Sequence, residues 1–236
     1  TGVSSMQREI RVLKQLQPGH ENVLPLVESV GNGRALVLPL CTGGDLQQFA
    51  LRYGKKRALR IELDMQEMFC QLLEGIRYLH SLNVAHRDVK LPNILLEAEG
   101  STQVRLCDFG AAVYSVHAQQ AIKDVPGTFG YMSSEALAAQ TKAGSYEVKS
   151  ADLWACGIVW WGLTQGAQLP FGNFDPALKL GPGEYILPWD NFQFRLNKEE
   201  TKKLLKPLLN QKPEDRNVSR AIDSAANVHR QLLALE

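Results

Sequence analysis

His86-Arg87-Asp88-Val89-Lys90-Leu91-Pro92-Asn93 runs directly into the apolar Ile94-Leu95-Leu96, and twenty residues beyond Asp88 comes Asp108-Phe109-Gly110. The second tripeptide is preceded by the strand-like Val104-Arg105-Leu106-Cys107. Taken singly, Asp88 and Lys90 read as loop charges and Asp108 as a turn residue. In this order and at this distance the two stretches form one signal.

Helical patterns flank this pair. Upstream, Met65, Met68, Phe69, Leu72, Leu73, Ile76 and Leu79 recur at steps of three and four, which predicts a helix from about Leu63 to Leu82. Downstream, Val148 to Gln165 is apolar nearly all round, the mark of a helix inside a domain. Two more helices are expected near Lys198–Leu209 and Val218–Leu235. At the start, Ser4 or Ser5 caps a helix that turns Ile10, Leu13 and Leu16 inward and stops at Pro18-Gly19. Val23–Val30 and Ala35–Leu40, split by Gly31-Asn32-Gly33, read as a hairpin, and Thr42-Gly43-Gly44 ends that pattern. No internal repeat interrupts the 236 residues.

Composition narrows the function classes. Lys and Arg number 26 against 25 Asp and Glu, a formal net charge of +1, which removes the general electrostatic case for nucleic acid or an anionic membrane. Apolar residues at 44% and charged residues at 22% describe a chain able to bury a core. The run from Leu153 to Leu163 is too short to span a bilayer. Cys41, Cys70, Cys107 and Cys156 stand far apart with no CxxC pair, against both a zinc site and a disulfide framework. No basic-then-apolar leader precedes the first helix, so the expected location is cytoplasmic or nuclear, without secretion or a transmembrane segment.

The two quoted loops resemble the protein kinase family, whose signature carries these residues in a catalytic loop and a metal-binding loop. The resemblance implies an α+β, protein-kinase-like bilobal fold. Residues 1–40 would be a partial small N-lobe, with the family's helix C and two or so strands, and residues 41–236 the hinge and a complete, mainly helical C-lobe. It implies a serine/threonine protein kinase that uses ATP and Mg²⁺ and acts on Ser/Thr hydroxyls of a protein substrate, with no nucleic-acid or membrane partner. Phosphoryl transfer is mostly positioning and charge stabilisation. By resemblance Asp88 is the base, Lys90 the cation beside the transferred group, and Asn93 and Asp108 the hard oxygen ligands of Mg²⁺. Lys90, two residues after the Asp, is the serine/threonine-type feature. Thr128 of Pro126-Gly127-Thr128-Phe129-Gly130-Tyr131-Met132-Ser133-Ser134-Glu135 would bridge Asp88 and Lys90.

The likeness covers the rest of the chain. Glu9 resembles the helix-C glutamate that pairs with the ATP-binding lysine. Val37 to Asp45 resembles the hinge, where adenine would meet the Pro39 carbonyl and the Cys41 N–H, with Leu38 as gatekeeper, Leu95 as floor and Asp45 near the ribose. Glu135 would pair with Arg216, Asp152 would anchor the catalytic-loop backbone, and His86 takes a structural role. Leu13, Leu26, His86 and Phe109 would form a stacked spine. Cys107 reads as a small buried residue, and Asp124 stands where many kinases carry an activating phosphate. The family would end the docking segment Ala-Pro-Glu, where this chain has Ser-Ser-Glu.

Two catalytic parts of the family have no counterpart ahead of Glu9, the glycine-rich loop and the lysine, so the chain resembles a kinase domain cut before helix C. It is expected to be either a piece of an active kinase, inactive alone, or a truncated pseudokinase acting as a protein-binding scaffold. A non-kinase helical interaction domain requires every loop match to be chance.

Overall fold

The computed structural model describes residues 5–56, 58–114, 125–141, 145–170 and 198–235. Helix α1 (Ser5–Gln15) buries Ile10, Val12 and Leu13, and Leu16 follows them into the core. Tyr78 Oη donates to the Leu16 carbonyl at 2.6 Å and stacks on His20, fixing where the chain leaves the helix. The expected hairpin is present but shorter. Strand β1 (Glu28–Val30) pairs antiparallel with β2 (Ala35–Val37), Ser29 opposite Leu36. Its connection holds Gly31, Asn32 and Gly33 at φ of 62°, 55° and 82°, a run that two glycines and an asparagine accept.

Val23 lies outside that hairpin. It bridges Leu106 in parallel, and the backbone exchanges Leu24 N to Leu106 O and Leu106 N to Asn22 O, each at 2.9 Å. Pro25, which lacks an N–H, separates this pairing from β1.

Helix α2 (Leu46–Tyr53) had no separate signal in the sequence; Asp45 caps it, Oδ1 accepting from Gln48 N at 2.9 Å. Helix α3 (Leu59–Ser81) begins a turn before its apolar stripe, because Arg60, Glu62 and Asp64 carry no hydrophobic period. All seven stripe residues are buried. Helices α4 (Ser134–Thr141) and α5 (Val148–Thr164) follow, the latter capped by Glu147 and buried continuously from Asp152 to Thr164. Helix α6 (Lys198–Leu205) stops four residues short of the expected end, ahead of Pro207, while Leu208 is still fully buried. Helix α7 (Val218–Leu233), capped by Asn217, packs against α3.

Two further antiparallel pairs lie between α3 and α4: β3 (Val84–Ala85) with β6 (Val113–Tyr114), and β4 (Ile94–Leu96) with β5 (Val104–Leu106). The result is the α+β architecture expected, small two-stranded sheets beside a large, mainly helical body. Among the described residues no helix is long and apolar enough to cross a membrane.

The core centres on α3 and α5, where the Phe69 and Trp160 rings are 5.0 Å apart and both side chains are fully buried. Phe69→Ala leaves a cavity between these helices, and we expect a loss of about 3–5 kcal/mol in denaturant unfolding. A loss under about 1 kcal/mol would show that the two helices collapse onto the space.

Candidate active site

The site is built from the backbone of 86–88 outward. Asp152, fully buried in the first turns of α5, accepts from His86 N through Oδ2 and from Arg87 N through Oδ1, both at 2.8 Å. His80 Nε2 lies 3.0 Å from the same Oδ2. Arg87 takes a left-handed φ of 69°, an uncommon backbone for a residue with a side chain, and the two N–H bonds flank that turn. The sequence located Asp152; nothing in it signalled His80.

The bend presents Asp88. Its Oδ2 accepts from Lys90 Nζ at 2.7 Å and its Oδ1 from Thr128 Oγ1 at 3.0 Å, while Lys90 Nζ reaches Thr128 Oγ1 at 3.1 Å. Asn93 Nδ2 donates to the Asp88 carbonyl at 2.9 Å, which leaves the amide oxygen facing elsewhere. Four of the expected site residues are therefore joined in one network.

Asp108 reaches the same neighbourhood through a strand pair. Asn93 ends the turn before β4 and Cys107 follows β5; antiparallel register sets Ile94 against Leu106, and Cys107 N donates to Asn93 O at 2.9 Å. His86 Nε2 also lies 2.9 Å from the Cys107 carbonyl, and its ring is 5.0 Å from that of the buried Phe109. Leu13 and Leu26 of the expected spine join the same apolar core. Asp108 has a φ of 65° and an exposed side chain, with Oδ1 accepting from Gly110 N at 3.3 Å. Its carboxylate and the Asn93 amide oxygen are hard donors of the kind that suit Mg²⁺.

Helix α1 docks on this loop. Arg8 Nη1 donates to Gly110 O at 3.1 Å, and Phe109 N donates to Glu9 Oε1 at 3.2 Å. Burial pushes the Glu9 carboxyl above its ordinary range, the Phe109 N–H partly offsets this, and the Asp108 charge adds to the rise. Cys107 is mostly buried and its thiol is pushed up to about 12, first by desolvation and then by Asp108, so it stays protonated at neutral pH.

The hinge-like segment runs beside β4. Gly43 N donates to Leu96 O at 3.1 Å, Leu96 N to Gly44 O at 2.9 Å, and Asp45 bridges Leu95. A side chain at 43 would collide with the Ala98 carbonyl, so glycine permits the approach. Pro39, Cys41 and Leu95 are half-buried along this run. One oxygen of Asp45 is held by the helix cap, a structural use the sequence reading did not anticipate.

Glu135 and Arg216 form the expected ion pair, with Arg216 Nη2 to Glu135 Oε2 at 3.2 Å. The guanidinium also donates to Ser150 O and Asn210 O and lies over Trp154. Asp124 falls outside the described residues.

The sequence model of the family described as protein kinase domain matches residues 2–226. The chain belongs to the protein kinase domain family. This kinase domain is 33% identical over 190 residues to CBL-interacting serine/threonine-protein kinase 17 of Arabidopsis thaliana, covering 78% of this chain and 41% of that protein. It is 33% identical to calcium-dependent protein kinase 4 of Plasmodium falciparum over 216 residues, 89% of this chain and 38% of that protein. The likeness to calcium/calmodulin-dependent protein kinase type II of Caenorhabditis briggsae is 34% over 221 residues, 89% of this chain and 38% of that protein. The chain thus spans about two fifths of the length of these relatives.

Two outcomes follow from the geometry. Asp152→Ala strips the acceptor from two N–H groups in a buried turn, and we expect a stability loss of about 3–5 kcal/mol in denaturant unfolding, with Asp152→Asn costing less. For Glu9 the folded carboxyl binds its proton more tightly than the unfolded one. Its contribution is therefore fully present at pH below the ordinary carboxylate range and is lost as pH rises through the raised folded value. Glu9→Gln keeps an acceptor for Phe109 N without the buried charge. We expect this variant of the 236-residue chain to melt higher than the parent at neutral pH, and the gap to close in acid. A gap independent of pH would refute the assignment.

Proposed function

We propose that the complete protein is a serine/threonine protein kinase that transfers the γ-phosphoryl group of ATP to a Ser or Thr hydroxyl of a protein substrate. The observation that carries this reading is the Asp88 carboxylate held between Lys90 and Thr128. As the hydroxyl oxygen bonds to the γ-phosphorus and the bond to the ADP oxygen breaks, the hydroxyl proton passes to Asp88. Lys90, 2.7 Å from Asp88, offsets charge on the transferring group. Asn93 and Asp108 would hold Mg²⁺, which supplies charge neutralisation on the phosphate oxygens when bound. Pro39, Cys41, Leu95 and Asp45 line the segment where the adenosine would lie, and Glu9 awaits the cation that its family counterpart pairs with.

The printed name of one relative, CBL-interacting serine/threonine-protein kinase 17, supports the serine/threonine class. All four cysteines are free thiols, which suits a cytoplasmic or nuclear setting. A polypeptide of these 236 residues alone has no glycine-rich loop or lysine ahead of Glu9, and we expect little transfer from it. In that form a scaffold role, as a protein-binding module, is the second reading.

The test is radiolabel transfer by the full-length protein to paired Ser-containing and Tyr-containing peptides. We expect the Ser peptide to be preferred and Asp88→Asn to lower kcat by about 10²- to 10⁴-fold. Asp108→Asn should also abolish the Mg²⁺-dependent thermal stabilisation by ATP. Undiminished transfer in Asp88→Asn removes the assignment, and a folded protein with neither transfer nor stabilisation favours the scaffold.

A further inference from the structure

The Asp108 carboxylate is steadied from within its own loop. Its Oδ1 accepts from Gly110 N at 3.3 Å, and Oδ2 meets no donor among the described residues. The rotation of the carboxylate therefore follows the Gly110 peptide. Glycine turns more freely about its backbone than any other residue, so an anchor of this kind needs fixing from outside the loop. No other residue type fits at 110, since a side chain there would collide with Ser5 Oγ in the first turn of α1.

The same helix supplies the fixing. Arg8, one turn on from Ser5, donates through Nη1 to the Gly110 carbonyl at 3.1 Å. Gly110 is buried, and no other group among the described residues donates to that oxygen. Buried carbonyls are nearly always paired, and a hydrogen bond from a charged donor is about twice as strong as a neutral one. Arg8 is half-buried and forms no ion pair among the described residues, so its guanidinium is not divided between a carboxylate and the loop. Glu9 accepts from Phe109 N at 3.2 Å. Two consecutive residues of α1 thus grip two consecutive residues of the loop, one on an N–H and one on a carbonyl.

We propose that Arg8 is a positioning residue for Asp108: by fixing the Gly110 carbonyl it sets the rotation of the Asp108 carboxylate, and with it the affinity of the site for Mg²⁺. The identity of the ion rests on the phosphoryl-transfer reading; the hold on Gly110 does not. Glu9 has no means of replacing Arg8, because an ionised carboxylate only accepts and a carbonyl needs a donor. Lysine at position 8 retains a charged donor, whereas methionine retains most of the apolar stem and no donor.

The test uses the full-length protein and two measurements. Hydrogen exchange read by mass spectrometry follows the amides of residues 108–112, which should exchange about tenfold faster in Arg8→Met and near the parent rate in Arg8→Lys. Mg²⁺ is then titrated at fixed ATP, with thermal shift and radiolabel transfer to the Ser peptide as readouts. We expect the half-maximal Mg²⁺ concentration to rise about tenfold or more in Arg8→Met, with KM for the peptide unchanged and Arg8→Lys recovering most of the loss. Matching thermal melts establish that the variants fold. A Mg²⁺ requirement that stays at the parent value in Arg8→Met overturns the proposal, as does exchange at 108–112 that ignores the substitution. Loss of peptide affinity in place of Mg²⁺ affinity overturns it equally. A parent protein with neither transfer nor Mg²⁺-dependent stabilisation by ATP refutes the kinase reading instead, and the exchange rates then decide by themselves whether Arg8 holds the loop.

Discussion

The Asp152 carboxylate is the fixed point of this domain. It is fully buried, carried by a helix that is itself buried along most of its length, and it holds two successive backbone N–H groups. A carboxylate in such a place is costly unless its lone pairs are used, and three donors or ring nitrogens use them here. In return, the backbone at Arg87 is held in a left-handed conformation that it would otherwise leave. That bend decides where Asp88 points. Lys90, Thr128 and Asn93 then refine a position that the core of the helical body has already set.

The second constraint is a register. Asp88 and Asp108 are twenty residues apart, and three antiparallel residue pairs bring Cys107, next to Asp108, against Asn93 of the Asp88 loop. The loops sit at the two free ends of β4 and β5, tied by Cys107 N to Asn93 O, and His86 spans from one loop to the Cys107 carbonyl of the other. A slip of one residue would move every side chain of one strand to the opposite face, so burial of Ile94, Leu96, Val104 and Leu106 guards the geometry of the candidate site from a distance.

What the sequence disclosed follows the strength of its physical signals. Helix α5 was legible to within a residue and the stripe of α3 in full, because burial on that scale needs a long apolar pattern. The start of α3 was not, since its first turn alternates Leu59 and Ile61 with Arg60 and Glu62, no helical period, and gains its place from tertiary packing. Helix α2 is eight residues with mixed composition, and its clearest cue, the Asp45 cap, was read as a binding residue. In the site, the loop residues were legible because their types are dictated by chemistry. His80 and the Ser150 and Asn210 carbonyls that share Arg216 were not, because a histidine on an amphipathic helix and a backbone oxygen carry no distinguishing pattern.

Glu9 shows the same logic working against the chain. Its neighbours are an acid, Asp108, and a backbone donor, Phe109 N. The adjacent Arg8 spends its guanidinium on the Gly110 carbonyl instead. A half-buried carboxylate beside another carboxylate gains from any cation placed between them, since its attraction to both offsets the desolvation and the repulsion. The single N–H that Glu9 accepts offsets only part of that cost. The end of α1 is thus docked on the Asp108 loop by contacts that hold it in place while leaving its electrostatics unbalanced. An ammonium arriving there would be stabilised by two acids at once, and in settling between them it would fix the helix and the loop in one arrangement.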